Sequence, residues 1–280
     1  MNPIITANQL EELINEGSDV LICDCRFDLT NAKAGFEMYK TAHITGAIYV
    51  NVDQDLSGKK TGGNGRHPLP TPEEWAKTRQ GLGIANHTHV VAYDSHGGTF
   101  ASRLWWMLRS IGHASVQVLD GGLDAWNGSF SSVGRAPKPL SAMPEAFPYQ
   151  GVVLIDEMVK NVATQERKMV IDARAPDRFR GENETLDPVG GHIPGATNRC
   201  FKENLVAGKF KAPELLYKEF VLLIGQQKPG TIIHSCGSGV SACHNLLAME
   251  AAGLSGSRLH VGSWSEWCSD CLLYTSDAAD

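Results

Sequence analysis

Apolar and polar positions along the chain alternate between two periods. Short runs rich in β-branched residues, at 90–93, 116–119, 170–173 and 231–235, predict buried strands. Between them, apolar residues recur with helical spacing. Over 100–111, Leu104, Met107, Leu108 and Ile111 share one face, and Gly112 follows. Over 240–252, Val240, Cys243, Leu247 and Glu250 form one line, with Leu246 and Met249 beside it and Gly253 after it. A glycine just past the last turn is a helix stop signal. Strands alternating with helices predict an α/β fold, each sheet parallel and flanked by helices. In such sheets chemistry gathers at the carboxyl ends of the strands.

The pattern also repeats. The segment 133–148 holds four of the 13 prolines and reads as an extended linker near the middle of the chain. The halves on either side match in order. Val20-Leu21-Ile22-Cys23-Asp24-Cys25-Arg26 answers to Met169-Val170-Ile171-Asp172-Ala173-Arg174, and Ala42-His43-Ile44-Thr45-Gly46-Ala47 to Gly191-His192-Ile193-Pro194-Gly195-Ala196. His89–Tyr93 with Asp94 answers to 231–236, and Gly121-Gly122-Leu123-Asp124-Ala125-Trp126 to Gly262-Ser263-Trp264-Ser265-Glu266-Trp267. The offsets stay between roughly 141 and 149 residues, which argues for a duplicated domain and not for a solenoid. The expected organisation is a domain over 1–132, a linker over 133–149, a second domain over 150–270 and an irregular tail over 271–280.

Composition narrows the class. Of 280 residues, 42% are apolar and 20% charged, which excludes wholesale disorder and collagen-like order. No apolar run approaches the ~18 residues needed to span a bilayer. Met1-Asn2-Pro3-Ile4 does not open like a secretory signal. Net charge is −6 and no Lys/Arg run offers a nucleic-acid footprint. An odd count of seven cysteines predicts reduced thiols in a cytoplasmic setting.

One of those cysteines stands apart. Cys236 directly follows a predicted strand and opens Gly237-Ser238-Gly239-Val240-Ser241, after which a helix begins. Loop amides and the positive helix end form an anion nest there, which would stabilise a thiolate or a persulfide. Gly237-x-Gly239-x-x-Ala242 also matches a dinucleotide fingerprint, but no ribose-binding acid follows at the required distance. A Cys-based phosphatase would want an arginine where Ala242 stands.

The paired HITGA and HIPGA segments, the DxR in each half, the CGSGVS loop and the GSWSEW segment resemble a tandem rhodanese-type sulfurtransferase over roughly residues 4–270. The loop is most similar to that of 3-mercaptopyruvate sulfurtransferases; thiosulfate sulfurtransferases usually carry basic residues at its second and third positions. The resemblance implies two rhodanese-like domains. Only the second is catalytic, since Asp94 stands where Cys236 stands in the other half. It implies a ping-pong reaction through a Cys236 persulfide held by the amides of Gly237, Ser238, Gly239, Val240 and Ser241. A relay of Ser238, His67 and Asp53 would handle the enolate proton. Arg178 matches the family's first substrate arginine. The stretch that usually supplies a second reads Glu182-Asn183-Glu184-Thr185-Leu186-Asp187-Pro188, so Arg180 and Arg199 are the substitutes. The implied partners are a small sulfur donor, a cyanide or thiol acceptor and a thioredoxin-like reductant, with no cofactor. The runners-up are thiosulfate as donor and a non-enzymatic sulfur-relay module.

Other features read as structural. Arg26 and Arg174 recur in both halves, as do His43 and His192, so buried pairing and architecture are expected of them. Cys268 and Cys271 form a lone CxxC without the second pair that a structural zinc wants, and no H-E-x-x-H helix occurs, so no metal is expected. Cys243 falls on the helical packing face.

Overall fold

The computed structural model describes residues 1–270 and Leu273; the rest of the expected tail, with Cys271, lies outside them. The chain divides into two compact units. Unit 1 is Met1–Gly58, Pro70–Gln150 and Ala207–Phe210; unit 2 is Lys59–Leu69, Gly151–Val206 and Lys211–Asp280. Each unit thus takes a short segment from the other half of the sequence.

Unit 1 holds β1 (Ile4–Ile5), β2 (Val20–Asp24), β3 (Ile48–Tyr49), β4 (His89–Tyr93) and β5 (Val116–Leu119) in one parallel sheet of order β1-β5-β4-β2-β3. Helices α1 (Ala7–Asn15), α2 (Ala34–Thr41), α3 (Pro72–Leu82) and α4 (Ala101–Ser110) flank it. Sequence sets where α3 starts. Thr71 and Glu74 cap each other's backbone groups and Pro72 takes the first turn, where its missing N–H costs nothing. Helix α4 is buried at every position but Arg109, not on one face only, because Trp105 and Trp106 extend its apolar stripe well around the helix. Ile5, Leu10, Ile22, Ile44, Val91, Tyr93 and Leu119 form the core around the sheet.

Unit 2 holds β6 (Val152–Val153), β7 (Val170–Asp172), β8 (Thr197–Asn198), β9 (Ile233–Ser235) and β10 (Arg258–His260). All pairs are parallel, in the order β8-β7-β9-β10-β6. Read from the other edge, this is the topology of unit 1. Its helices are α5 (Ile155–Ala163), α6 (Pro176–Phe179), α7 (Pro213–Ile224), α8 (Ala242–Ala251) and α9 (Ser263–Trp267). Strand β9 begins later than the apolar run suggests, because Pro229–Thr231 is a tight turn closed by the Thr231 amide and hydroxyl on Lys228 O. Register sets Asp172 beside Ser235, so the DxR of unit 2 abuts the carboxyl end of its central strand. Among the described residues no helix is long and apolar enough to cross a membrane.

Candidate active site

Cys236 leaves β9 and is 1% exposed. Its loop is fixed from behind by the GSWSEW segment. The Cys236 amide donates to Ser263 Oγ (3.1 Å), and the carbonyls of Cys236 and Gly237 accept from the amides of Trp264 (3.0 Å) and Ser265 (2.8 Å). Ser263 Oγ also lies 4.0 Å from Cys236 Sγ, and the residue holds a left-handed φ of 53° to reach both. Gly239 has φ 74°, which lets the loop turn back into α8 without the strain a side chain would bring. Cys243 is fully buried and donates its thiol to Gly239 O at 3.2 Å, the packing role expected of it.

Unit 1 shows what such a loop does to a negative charge. Asp94 Oδ1 accepts from the amides of His96 (2.7 Å) and Gly98 (2.9 Å), and Oδ2 from those of Phe100 (2.7 Å) and Ala101 (3.0 Å). Four donors converge on one anion, an oriented amide nest. By the sequence repeat, the amides of Ser238, Val240 and Ala242 take the matching places after Cys236, while that of Cys243 closes on Val240 O (3.0 Å). A carboxylate fills the nest of unit 1, and a thiol stands at its head in unit 2.

The Lys59–Leu69 segment brings His67 and Arg66 into unit 2. His67 is buried, and its Nδ1 lies 2.7 Å from Ser238 Oγ. The Arg66 amide donates to Ser265 Oγ at 3.0 Å, which ties the segment to the start of α9. The structure therefore joins two of the expected relay members, Ser238 and His67. Asp53 belongs to unit 1, where its amide donates to Asn51 Oδ1 (2.8 Å) in a local turn.

Around the loop, cations and carboxylates alternate. Arg178, on α6, meets Glu184 with its Nη2 2.8 Å from both carboxylate oxygens and its Nε at 3.2 Å. Arg66 Nη1 pairs with Asp187, whose other oxygen lies 3.6 Å from Arg178 Nη2. Arg174 pairs with Asp172 (Nη2 at 2.8 Å), and its Nη1 is 3.6 Å from Glu184. Arg26 pairs with Asp24 in unit 1 in the same way, so the repeated DxR is a buried structural brace in both halves. Burial pushes the Arg66 guanidinium below its usual pKa; the Cys236 thiol opposes this and Arg178 adds to it.

The two substitutes for a second substrate arginine lie otherwise. Arg180 makes a bidentate pair with Glu182, both bonds 2.7 Å, and both side chains are more than half exposed. Arg199 is buried, donates to Asn204 Oδ1 and Glu219, and sits 4.3 Å from the Phe220 ring centroid, so packing consumes it. Arg66, Glu184, Asp187 and Ser263 join the candidate site, and pattern reading does not single them out. The place of Arg66 next to His67 and that of Ser263 in the GSWSEW segment are the signals that could have found them. Among the described residues no group of three or more His, Cys, Asp or Glu side chains is placed to hold a metal ion.

Comparison with known proteins points to one family. The rhodanese-like domain family matches residues 6–129 and again 154–270. The chain is 40% identical over 276 residues to a probable 3-mercaptopyruvate sulfurtransferase of Pseudomonas aeruginosa, covering 95% of each chain. It is 35% identical to the putative thiosulfate sulfurtransferase SseB of Mycobacterium tuberculosis, covering 95% of this chain and 94% of that one. The solved 3-mercaptopyruvate sulfurtransferase from Leishmania major superposes with a TM-score of 0.84 at 29% identity, covering 99% of this chain and 76% of that one. The chain belongs to the rhodanese-like family as a tandem-domain sulfurtransferase, an enzyme that takes sulfur from a donor and hands it to an acceptor.

Proposed function

We propose that the donor is 3-mercaptopyruvate and that Cys236 carries its sulfur as a persulfide. The Cys236 thiolate attacks the donor sulfur. A sulfur–sulfur bond forms, the carbon–sulfur bond breaks, and its electron pair leaves on carbon as pyruvate enolate. Ser238, relayed by His67, gives the enolate its proton and releases pyruvate. The amides of Gly237, Ser238, Gly239, Val240 and Ser241 hold the persulfide anion. A cyanide or thiol acceptor then attacks the outer sulfur, leaving thiocyanate or a new persulfide and restoring the thiol. Arg178 takes the donor carboxylate. Asp53 is kept as third member of the relay, and Arg180 as a peripheral substrate contact, on the family pattern alone. The nucleophile is assigned to residues 150–270, with 1–132 as a scaffold that also lends His67 and Asp53, and 133–149 as connector. In a cytoplasmic setting a thioredoxin-like dithiol is the fitting reductant, since two thiols convert the persulfide to hydrogen sulfide and a disulfide.

One observation carries the donor assignment: Ser238, at a loop position where a thiosulfate enzyme carries a cation, is bound to a buried histidine at 2.7 Å. A proton relay serves an enolate, whereas sulfite leaves thiosulfate as a stable anion and needs no proton. Steady-state turnover on the two donors, with cyanide as acceptor, tests it. The expected kcat/KM favours 3-mercaptopyruvate by at least about tenfold. Faster turnover on thiosulfate overturns the assignment.

A further inference from the structure

The stretch 182–188, where the family places a second substrate arginine, here supplies Glu184 and Asp187. Unit 2 acquires a guanidinium by another route. Arg66 arrives on the Lys59–Leu69 segment, one residue before His67. Its Nη2 lies 2.8 Å from the point where a Cβ on Gly237 would stand, and Arg178 Nη2 lies 3.6 Å from the same point. The two forks converge on the second residue of the Cys236 loop. Asp187 touches both, through Arg66 Nη1 at one oxygen and Arg178 Nη2 at the other. Exposure sets the direction of this cluster. The side chains of Arg66 and Arg178 are 25% and 20% exposed, those of Asp187 and Glu184 only 2% and 4%. The carboxylates lie behind and the cations face outward.

We propose that Arg66 is the second guanidinium of the donor-carboxylate site, aligned by Asp187, and that it helps select a monoanionic 2-oxo acid. This rests on the reading that Cys236 is the nucleophile and 3-mercaptopyruvate the donor. Two guanidinium forks on one carboxylate fix its orientation as well as its charge. Arg66, Arg178 and Arg174 are matched by Asp187, Glu184 and Asp172, so the cluster holds no surplus positive charge to favour a dianion such as thiosulfate. Gly237 fits the same picture: any side chain there would push the Arg66 guanidinium out of place.

The test compares 3-mercaptopyruvate with 1-mercaptopropan-2-one, the same donor with a methyl group in place of its carboxylate, in Arg66→Gln and Arg66→Lys variants. The expected result for Arg66→Gln is a loss of about 10- to 100-fold in kcat/KM for the acid, carried by KM, with the ketone unchanged within about threefold. Arg66→Lys, which keeps the charge but not the fork, gives a smaller loss confined to the acid. No loss on the acid, or equal losses on both donors, overturns the proposal, since a purely structural role moves both. Wild-type enzyme and Cys236→Ser run beside them. A wild type that prefers thiosulfate, or a Cys236→Ser variant that still turns over, sinks the underlying reading instead.

Discussion

The Ser238 hydroxyl and His67 Nδ1 form a buried pair, shielded from the water that could otherwise substitute for either. A relay in this setting is worth the usual 10²- to 10⁴-fold of general acid catalysis, but only to a leaving group that needs a proton. Ser238→Ala and His67→Gln should each cut 3-mercaptopyruvate turnover by about 10²-fold or more while leaving thiosulfate turnover within a few-fold. Equal losses on both donors would show that the pair holds the loop together and moves no proton. At this scale the sequence displays Cys236 and Ser238 plainly, because both lie in one six-residue loop after an apolar strand. It does not display Arg66, whose partner Asp187 is 121 residues away. The family pattern marks Arg178 but leaves Arg180 open as its companion. They stand two apart at the end of a four-residue helix, and only the fold turns one to the buried Glu184 and the other to the exposed Glu182.

Elements with local signatures are legible. The strand over Val116–Leu119 matches its apolar run to the residue, and α3 shows its capping box and N-terminal proline in the sequence. Burial is harder to read. The periodic line through 240–252 suggests one packed face, yet α8 buries His244 and Asn245 too, because Asn204 satisfies both side chains. The Lys59–Leu69 segment is the least legible element of the site. It is polar and glycine-rich and reads as an ordinary loop, and no local period reveals that it packs into unit 2. Its anchor is Gly65, with φ 82° and a would-be Cβ only 2.9 Å from Gly262 O. Gly65→Ala combines a strained φ with a backbone clash and should loosen the segment. The expected cost is about 1–3 kcal/mol in chemical denaturation, with 3-mercaptopyruvate turnover falling further than stability alone explains. A stable, fully active Gly65→Ala enzyme would mean that His67 and Arg66 do not depend on this contact.

Across the whole molecule, the duplication is legible in the near-constant offsets between matching segments, and both units share one strand order. The repeat also says where the chemistry is. The nest in unit 1 is closed by the Asp94 carboxylate, so the sulfur cradle is proposed for the matching loop of unit 2. Exchange of the Lys59–Leu69 and Ala207–Phe210 segments escapes a reading by halves, because a boundary inferred from sequence follows chain order while packing does not. Whether Cys236 alone carries the transferred sulfur is read by peptide mapping under mass spectrometry after one equivalent of 3-mercaptopyruvate and no acceptor. The expected result is one added sulfur on the peptide holding Cys236, removed by cyanide and absent from Cys236→Ser. Sulfur found on another cysteine, or persisting in Cys236→Ser, would contradict it.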